Sequence, residues 1–401
     1  MGTSRHASKV RAARVTIVGI ASLVFASGVA LAGHTEQALK PARNGLIAYS
    51  YKGDIYVGDM RTAKTTAVVT NPKYEVNPIF APDGRRIAFI RGNSQTGKAK
   101  VVVVRADGSD ERLIFPEGRK HRGFGNYGWT PDSDSLVVQL DRLPFVYPHG
   151  DGELSLFDSR GTGKERVLTP PLTLSIGGHY WGHNQVAPMF RPPRGDRILS
   201  GDWNDVRAFD RDLSRATPLN AALKQYRPYH PYYLTWSPDG TRILFQLELY
   251  DGPPSSRPMT KEGGGLFVMS GQGTRPHRVG DDGYFPQWSP DGSRIAFERE
   301  RRATDRAVLV VVDLKSGKER PLESTSAAGK DAGARFPTTT YNNVVHHWFY
   351  EGWTWSPDGR KLLVLEDHRT RPWVVDIETD TVTKLPWLAD SMPSWQRATS
   401  K

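Results

Sequence analysis

The sequence predicts an all-β fold, a β-propeller of seven blades that each contain four antiparallel strands. The first observation behind this prediction is a repeat, because the pentapeptide Trp-Ser-Pro-Asp-Gly occurs three times in the 401 residues. The perfect copies are Trp236–Gly240, Trp288–Gly292 and Trp355–Gly359, and the looser copies are Phe80–Gly84, Trp129–Asp132 and Phe190–Pro192. The second observation is the period: the motif prolines recur every 46 to 67 residues, which is the length of one blade.

The motif predicts a hairpin turn that follows an aromatic residue. Proline presets φ, Ser and Asp bond the local backbone, and glycine accepts the positive φ that ends a short hairpin loop. The turn residues of the perfect copies are Pro238, Asp239, Gly240, Pro290, Asp291, Gly292, Pro357, Asp358 and Gly359. The tryptophans before the turns, Trp129, Trp236, Trp288 and Trp355, are expected to fill the contact between neighbouring blades.

The strands around each turn complete a four-stranded unit of about 50 residues. After the turn comes a strand that is apolar on both faces, such as Ile243-Leu244-Phe245, which must be covered on both sides. A further apolar strand follows, and six of its seven copies run into an aspartate within three residues. A weaker outer strand completes the unit.

The ends of the chain predict how the ring closes. Seven copies of the second apolar strand accompany only six turn motifs. The segment Gly45–Tyr49 matches a strand that follows a turn, and Pro393-Ser394-Trp395 matches one that precedes a turn. One blade is therefore expected to combine both ends, which protects the sheet edges. Six blades are the alternative, if the degenerate unit near Phe190 is a loop.

The first 32 residues have the pattern of a secretory signal, with a basic start, an apolar run from Val15 to Val29 and the small-residue site Ala30-Leu31-Ala32. We expect residues 1–32 to be a signal peptide, 33–44 a linker, 45–397 the propeller and 398–401 a tail. The protein is then secreted or periplasmic by the general export route. The alternative is an uncleaved N-terminal membrane anchor, since the apolar span is marginal for a membrane helix.

Composition restricts the partners. The formal charge of +11 falls to about +7 without the four basic residues of the signal segment, Arg5, Lys9, Arg11 and Arg14. No basic run is interleaved with aromatic residues, so nucleic acid is not an expected partner. The chain has no cysteine, so disulfides contribute nothing to stability. The segment Ser324–Phe336, rich in Ala, Gly and Lys, is predicted to be a flexible insertion.

The motif copies resemble the WD-like repeats of TolB-family β-propellers, over nearly all of residues 45–395. This resemblance implies the propeller fold and a protein partner. TolB proteins also carry an α/β domain before the propeller, whereas about a dozen residues here separate the signal from the first strand. Similar repeats form the gating propeller of prolyl oligopeptidase-like peptidases, but the sequence contains no Gly-x-Ser-x-Gly motif, which excludes a serine hydrolase of that type.

Candidate binding residues lie in the segments that enter the inner strands, because these segments meet at one end of the central channel. Loops on a rigid scaffold often carry function, and His and aromatic side chains suit sugar rings or peptide side chains. The candidates are His121, Tyr127, His179, Tyr180, His183, Tyr229, His230, Tyr232, His346, His347 and Tyr350. The alternative is that these rings only plug the channel and pack the loops. Trp395 belongs with the motif tryptophans as a structural residue.

The sequence assigns no catalytic residue, cofactor or metal ligand. Histidines of separate blades, such as His179, His183 and His230, can converge on a divalent ion, but no spacing matches a zinc signature. We therefore expect a noncatalytic binding module for a protein partner or an envelope polysaccharide. The alternative is a metal-assisted polysaccharide lyase with its site at the channel mouth, since the repeats are also similar to those of oligogalacturonate lyases, in which histidines hold a divalent metal.

The predicted signal can be tested directly. N-terminal sequencing of the exported protein is expected to start at Gly33, because Ala30-Leu31-Ala32 is the small-residue cleavage site. A protein that keeps its initiator Met1 and fractionates with membranes would support the anchor instead.

Overall fold

The fold is seen in a computed structural model, in which the described residues form seven antiparallel blades in a ring. The structure describes residues 42–92, 99–114, 123–141, 153–168, 189–202, 205–226, 229–249, 264–281, 283–301, 306–328, 338–341, 344–347, 352–365 and 371–398. All of them belong to one compact unit, residues 38–401. The predicted fold class is confirmed, and the six-blade alternative is wrong.

The strands follow the chain from blade to blade. Blade 1 contains β1 (Arg43–Tyr51), β2 (Asp54–Gly58) and β3 (Thr65–Val69), and blade 2 contains β4 (Glu75–Phe80), β5 (Arg86–Arg91), β6 (Lys100–Arg105) and β7 (Arg112–Leu113). Blade 3 contains β8 (Gly123–Trp129), β9 (Ser135–Asp141), β10 (Glu153–Asp158) and β11 (Glu165–Val167), and blade 4 contains β12 (Arg197–Asp202), β13 (Asp205–Asp210) and β14 (Ala216–Pro218).

Blades 5 to 7 follow the same order. Blade 5 contains β15 (Tyr229–Trp236), β16 (Arg242–Leu249), β17 (Gly265–Ser270) and β18 (His277–Gly280), and blade 6 contains β19 (Tyr284–Trp288), β20 (Arg294–Arg301), β21 (Arg306–Asp313) and β22 (Glu319–Leu322). The helix α1 (Glu323–Ala328) and a hairpin of β23 (Thr338–Tyr341) and β24 (Val344–His347) come next. Blade 7 contains β25 (Gly352–Trp355), β26 (Lys361–Leu365), β27 (Trp373–Asp376) and β28 (Thr381–Lys384), and the last strand is β29 (Ser394–Ala398).

Two local features differ from the sequence prediction. Blade 4 has three strands among the described residues, and its inner strand is reduced to one bridge between Phe190 and Ile198. The segment predicted as a flexible insertion from Ser324 begins inside α1, where the Thr325 hydroxyl accepts a hydrogen bond from the Leu309 N–H at 3.0 Å. A contact with the neighbouring strand β21 therefore stabilises a helical turn that local composition does not predict.

The strand before each turn is the inner strand of its blade. In the complete blades this strand lies at one sheet edge, and these edges meet: β4 lies against β29, and β19 against β15. The fold thus places the motif aromatic residues close to the axis of the ring.

The second strand of each blade packs against both neighbouring blades. In β5, Ile87 and Phe89 pack with residues of blade 1, whereas Ala88 and Ile90 pack with residues of blade 3. All four are buried. Because alternate side chains of a strand point to opposite faces, a strand between two blades must be apolar throughout.

The motif tryptophans fill blade contacts, and Trp129, Trp288 and Trp355 each form a hydrogen bond across their contact, whereas the Trp236 indole N–H has no hydrogen-bond partner among the described residues. The indole N–H of Trp129 donates to the carbonyl of Ile79 at 3.1 Å, and that of Trp288 donates to Thr235 at 3.4 Å. Trp355 donates in the same way to Gln287 at 3.4 Å. In each pair the acceptor is the residue just before the aromatic residue of the preceding blade.

Arginines that open the second strands add a second contact between blades. The Arg242 guanidinium lies 4.8 Å from the Trp288 ring centroid and donates to the Gly292 carbonyl at 2.8 Å. Arg86 lies 5.1 Å from the Trp129 ring and donates to the Ser133 carbonyl at 2.6 Å. Each of these arginines therefore holds both the aromatic ring and the hairpin turn of the next blade.

The ring closes through β29, which pairs with β1 as the inner strand of blade 1. The Gln396 side chain accepts from the Leu46 N–H at 2.9 Å and donates to the Gly84 carbonyl at 2.8 Å, so it joins blade 1 to blade 2. On the other side, Trp395 and Ile47 pack with Leu363 of blade 7. The split blade predicted from the chain ends is confirmed.

Replacement of Gly240 by alanine is expected to lower the free energy of unfolding more than the same change at Gly317. The two glycines have φ values of +71° and +68°, so alanine costs roughly 1–2 kcal/mol of backbone strain at either position. Only at Gly240 would the new Cβ overlap an atom of another blade, the Pro192 carbonyl oxygen, whereas Gly317 has no described atom within 4 Å. This overlap adds roughly 1–3 kcal/mol. Urea unfolding measures both variants, and equal losses would contradict the close approach of blades 4 and 5.

Candidate functional site

One face of the ring carries the variable parts of the chain. The motif turns lie at one end of every sheet, so the segments that lead into the inner strands lie at the opposite end, together with those that join second to third strands. We call this opposite end the mouth face. The longer stretches between described strands, such as residues 250–263, join strand ends on this face.

Three inner strands carry a bulge at the same place near the mouth face. The pairing of β4, β15 and β19 with their second strands shifts register there. The bulge residues Asn77, Tyr233 and Phe285 have φ values of 54°, 54° and 56°. Such a conformation is uncommon for residues other than glycine, and bulges redirect side chains. The bulge belongs to the scaffold, since it recurs, but the side chain it presents differs between blades.

In blades 5 and 6 this geometry assembles a chain of five rings, which we call the aromatic row. It contains His230, Tyr232, Tyr233, Phe285 and Tyr284, whose successive ring centroids are 4.3, 6.4, 5.4 and 6.5 Å apart. The first three are half-buried, Phe285 is buried, and Tyr284 is 36% exposed. The bulge rings Tyr233 and Phe285 meet across the boundary of the two blades. The row therefore presents a continuous, partly exposed aromatic surface.

Two buried polar side chains lie opposite the row in the sheet ladder. Gln246 pairs with Tyr232, and Glu298 pairs with Tyr284. They are only 8% and 4% exposed, and among the described residues neither Gln246 Oε1 nor Glu298 Oε1 has a hydrogen-bond partner. Buried oxygens without partners are costly, so these two need an explanation.

The other blades show that the scaffold does not need polar residues at this position. The equivalent residues are Ile90 in blade 2 and Leu365 in blade 7, and both are buried. In blade 1 the equivalent Ser50 is satisfied, because its hydroxyl bonds that of Ser391 at 2.7 Å. The corresponding side chain of blade 3, Gln139, lies outside the described part.

Glu298 is held in its neutral form at neutral pH. Burial raises the pKa of its carboxyl to about 8, and the nearby Trp353 indole, which lowers this pKa, is the smaller of the two effects. The Trp353 indole N–H and Glu298 Oε1 both lack a hydrogen-bond partner among the described residues. At Glu298 the site therefore offers a neutral polar group rather than a charge.

Two predicted site residues belong to the packed interior. Tyr127 is 1% exposed, and its hydroxyl donates to the carbonyls of Asn77 and Ala88 in blade 2. Tyr229 is fully buried in the cluster shared by blades 3 to 5. The structure brings only His230 and Tyr232 together on the mouth face, where they form one end of the aromatic row.

Other predicted residues cannot be placed. His121, His179, Tyr180, His183 and Tyr350 lie outside the described residues. His346 and His347 lie on β24, where their backbones pair with Thr339 and Thr338. Within the described ranges, no three His, Asp or Glu side chains group closely enough to hold a metal ion. No described helix is long and apolar enough to cross a membrane, and the apolar segment before Gly33 lies outside these ranges.

Sequence reasoning missed Tyr284, Phe285, Gln246 and Glu298 as site residues. The signal that could have identified them is a comparison of the blades at one repeat position. The second strands read Arg-Ile-Ala-Phe-Ile in blade 2, Arg-Ile-Leu-Phe-Gln in blade 5 and Arg-Ile-Ala-Phe-Glu in blade 6. Blades 5 and 6 carry a polar residue at the last of these positions, and in both blades a tyrosine stands four residues before the motif tryptophan.

Comparison with curated proteins gives one relative that covers most of the chain, and no family model matches. Dipeptidyl-peptidase 5 of Porphyromonas gingivalis is 22% identical over 327 residues, which cover 78% of this chain. The chain spans 40% of the length of that relative, so the similarity concerns less than half of the peptidase.

Similar solved structures include proteins of several activities. TolB from Acinetobacter baumannii is 14% identical, covers 87% of this chain and 81% of its own, and has a TM-score of 0.44. An oligogalacturonate lyase in complex with manganese is 14% identical, with coverages of 86% and 85% and a TM-score of 0.48. The GH74 xyloglucanase from Xanthomonas campestris is 14% identical, with coverages of 89% and 54% and a TM-score of 0.51. At these identities the similarity concerns the fold alone.

Replacement of Glu298 by glutamine is expected to remove a pH dependence of stability. The folded pKa of about 8 lies above the ordinary value of 4.5, so the native state keeps a proton that the unfolded chain loses. Wild-type stability therefore falls by a total of about 5 kcal/mol as pH rises from about 4.5 to about 8, and it is constant at higher pH. The difference in free energy of unfolding between Glu298→Gln and the wild type, measured by urea unfolding, should grow as pH rises over this range. Gln246→Glu, at the equivalent position of blade 5, should introduce a similar fall, whereas parallel stability curves would contradict the burial argument.

Proposed function

We propose that this protein is an exported, noncatalytic binding module that holds a protein partner or a cell-envelope polymer on its mouth face. The observation that carries the proposal is the aromatic row of blades 5 and 6. The row occurs in blades 5 and 6, whereas the turns and apolar strands recur from blade to blade. Residues that the propeller scaffold requires are expected to recur in the same way, so the row is not explained by the fold. Partly exposed rings on rigid strands supply large contact area at low entropic cost, which is typical of binding surfaces.

The export part of the proposal rests on the signal-like pattern before Gly33. The fold supports the binding part, because a closed ring of blades is a rigid platform on which mouth-face segments can vary. The repeat resemblance to TolB-family propellers agrees with a protein partner.

Capture from envelope extracts tests this function. Partners retained by the exported protein are identified, and their Kd values are then measured with purified components. The double variant with His230→Ala and Tyr232→Ala is expected to weaken binding by at least about tenfold, the loss of roughly 1.4 kcal/mol. Tyr74→Ala is the matched control, since Tyr74 is a 48% exposed tyrosine that leads into another inner strand, β4. Unchanged binding by the double variant would refute the mouth-face site.

The noncatalytic part has its own test. The purified protein is analysed for bound manganese, calcium and zinc, and it is incubated with uronate oligomers. Bound metal together with cleavage of these oligomers would replace the binding module by a metal-assisted lyase.

A further inference from the structure

We propose that the mouth face of blades 5 and 6 binds a neutral sugar chain, whose rings stack on the aromatic row and whose hydroxyls donate to Gln246 Oε1 and Glu298 Oε1. This inference rests on the proposed binding function and names the chemistry of its ligand.

The first argument is the pairing of ring faces with unsatisfied acceptors. Tyr232 lies directly opposite Gln246, and Tyr284 directly opposite Glu298. Both carboxamide and carboxyl are more than nine-tenths buried, and each keeps one oxygen that no described residue satisfies. A sugar ring has an apolar face that covers an aromatic ring and an edge of hydroxyl donors. It therefore supplies donors to the two oxygens and an apolar face to the rings beside them.

The second argument is the comparison between blades. Where the second strand carries Ile90 or Leu365, the residue opposite is Val76 or Gly352, and neither offers a ring. The polar acceptor and the opposing tyrosine thus occur together in blades 5 and 6 and are both replaced in blades 2 and 7. Packing alone does not require this coincidence, because blade 2 folds with the same register and bulge around Ile90, and blade 7 folds with Leu365 and no bulge.

The third argument is charge. The aromatic row contains no acidic or basic residue apart from His230, and burial keeps the Glu298 carboxyl protonated at neutral pH. The nearest strong cation on β20, Arg299, is bound by Glu319 through two hydrogen bonds of 2.7 and 2.9 Å. The residue paired with His230 is itself acidic, Glu248, so this surface favours an uncharged ligand over a uronate chain, whose carboxylates would lose hydration without gaining a counter-charge.

Reaching the two oxygens requires a small movement. Both are shut off from solvent, so the side chains that cover them must shift as the sugar enters, while the rings of the row stay in place for stacking. Because the Trp353 indole lies beside Glu298, saccharide binding is expected to change its fluorescence.

Calorimetry with defined hexasaccharides tests the inference. The probes are the β-1,4-linked hexamers of glucose and of N-acetylglucosamine, and the acidic control is the hexamer of galacturonate. We expect the exported protein to bind at least one neutral hexamer more tightly than the acidic one. Tyr233→Ala and Gln246→Leu should each weaken that binding about tenfold, the loss of one stacking or hydrogen-bonding contact. Gln246→Leu is the sharper variant, since blade 7 folds with Leu365 at this position.

The outcomes separate this inference from the proposed function. Failure to bind any neutral hexamer, tighter binding of the galacturonate hexamer, or wild-type affinity in both variants would overturn the sugar site. A different outcome is that the wild type binds a captured protein partner but no saccharide, and that both variants bind this partner more weakly. The proposed binding function is then supported, and its ligand is a polypeptide. If the wild type binds neither saccharide nor any envelope component, the proposed function itself fails. Tyr74→Ala must leave saccharide affinity unchanged.

Discussion

Contact between neighbouring blades is the constraint on which the rest of this structure depends. A single blade is a sheet with two apolar faces, so it is stable only when a blade lies on either side. A motif tryptophan such as Trp288 fills the space between two blades, and its indole N–H donates a hydrogen bond to the preceding blade. An arginine such as Arg242 contacts both the tryptophan ring and the hairpin turn of the next blade. The chain has no disulfide to compensate for a poor contact, and the same device therefore recurs around the ring.

This constraint also explains where function can be located. Positions that most blades fill alike, such as Trp288 and Gly292, are committed to packing and turn geometry and admit few replacements, such as Phe80 for the tryptophan and Ser133 for the glycine. Freedom remains at the mouth face, where the bulges of β4, β15 and β19 each present one side chain and the second strand presents the residue beside it. Blades 5 and 6 use that freedom to place Tyr233 against Phe285 and to bury Gln246 and Glu298 behind the row.

The fold was predictable because it is repeated, and the site was hard to predict because it is not. The turn chemistry of Pro238, Asp239 and Gly240 depends on neighbours in sequence, so a local pattern reveals it. Tyr127 and Tyr232 look alike in sequence, yet one is sealed between blades and the other lies on the surface. The difference arises from strand register and from the bulge, which depend on pairing over distance. Gln246 and Glu298 become informative only when the blades are aligned with one another.

The split first blade has a consequence for the order of folding. Within blades 2 to 7 every strand pairs with a partner that is close along the chain, so these units can form as they are made. Blade 1 must wait, because the Leu46 N–H and the Gln396 side chain that join its strands are 350 positions apart. Contacts of such separation form slowly, since a long loop must close before any energy is gained. Until Trp395 arrives, the growing polypeptide therefore remains an open arc with two bare sheet edges, and completion of the ring is a single late event for the whole molecule.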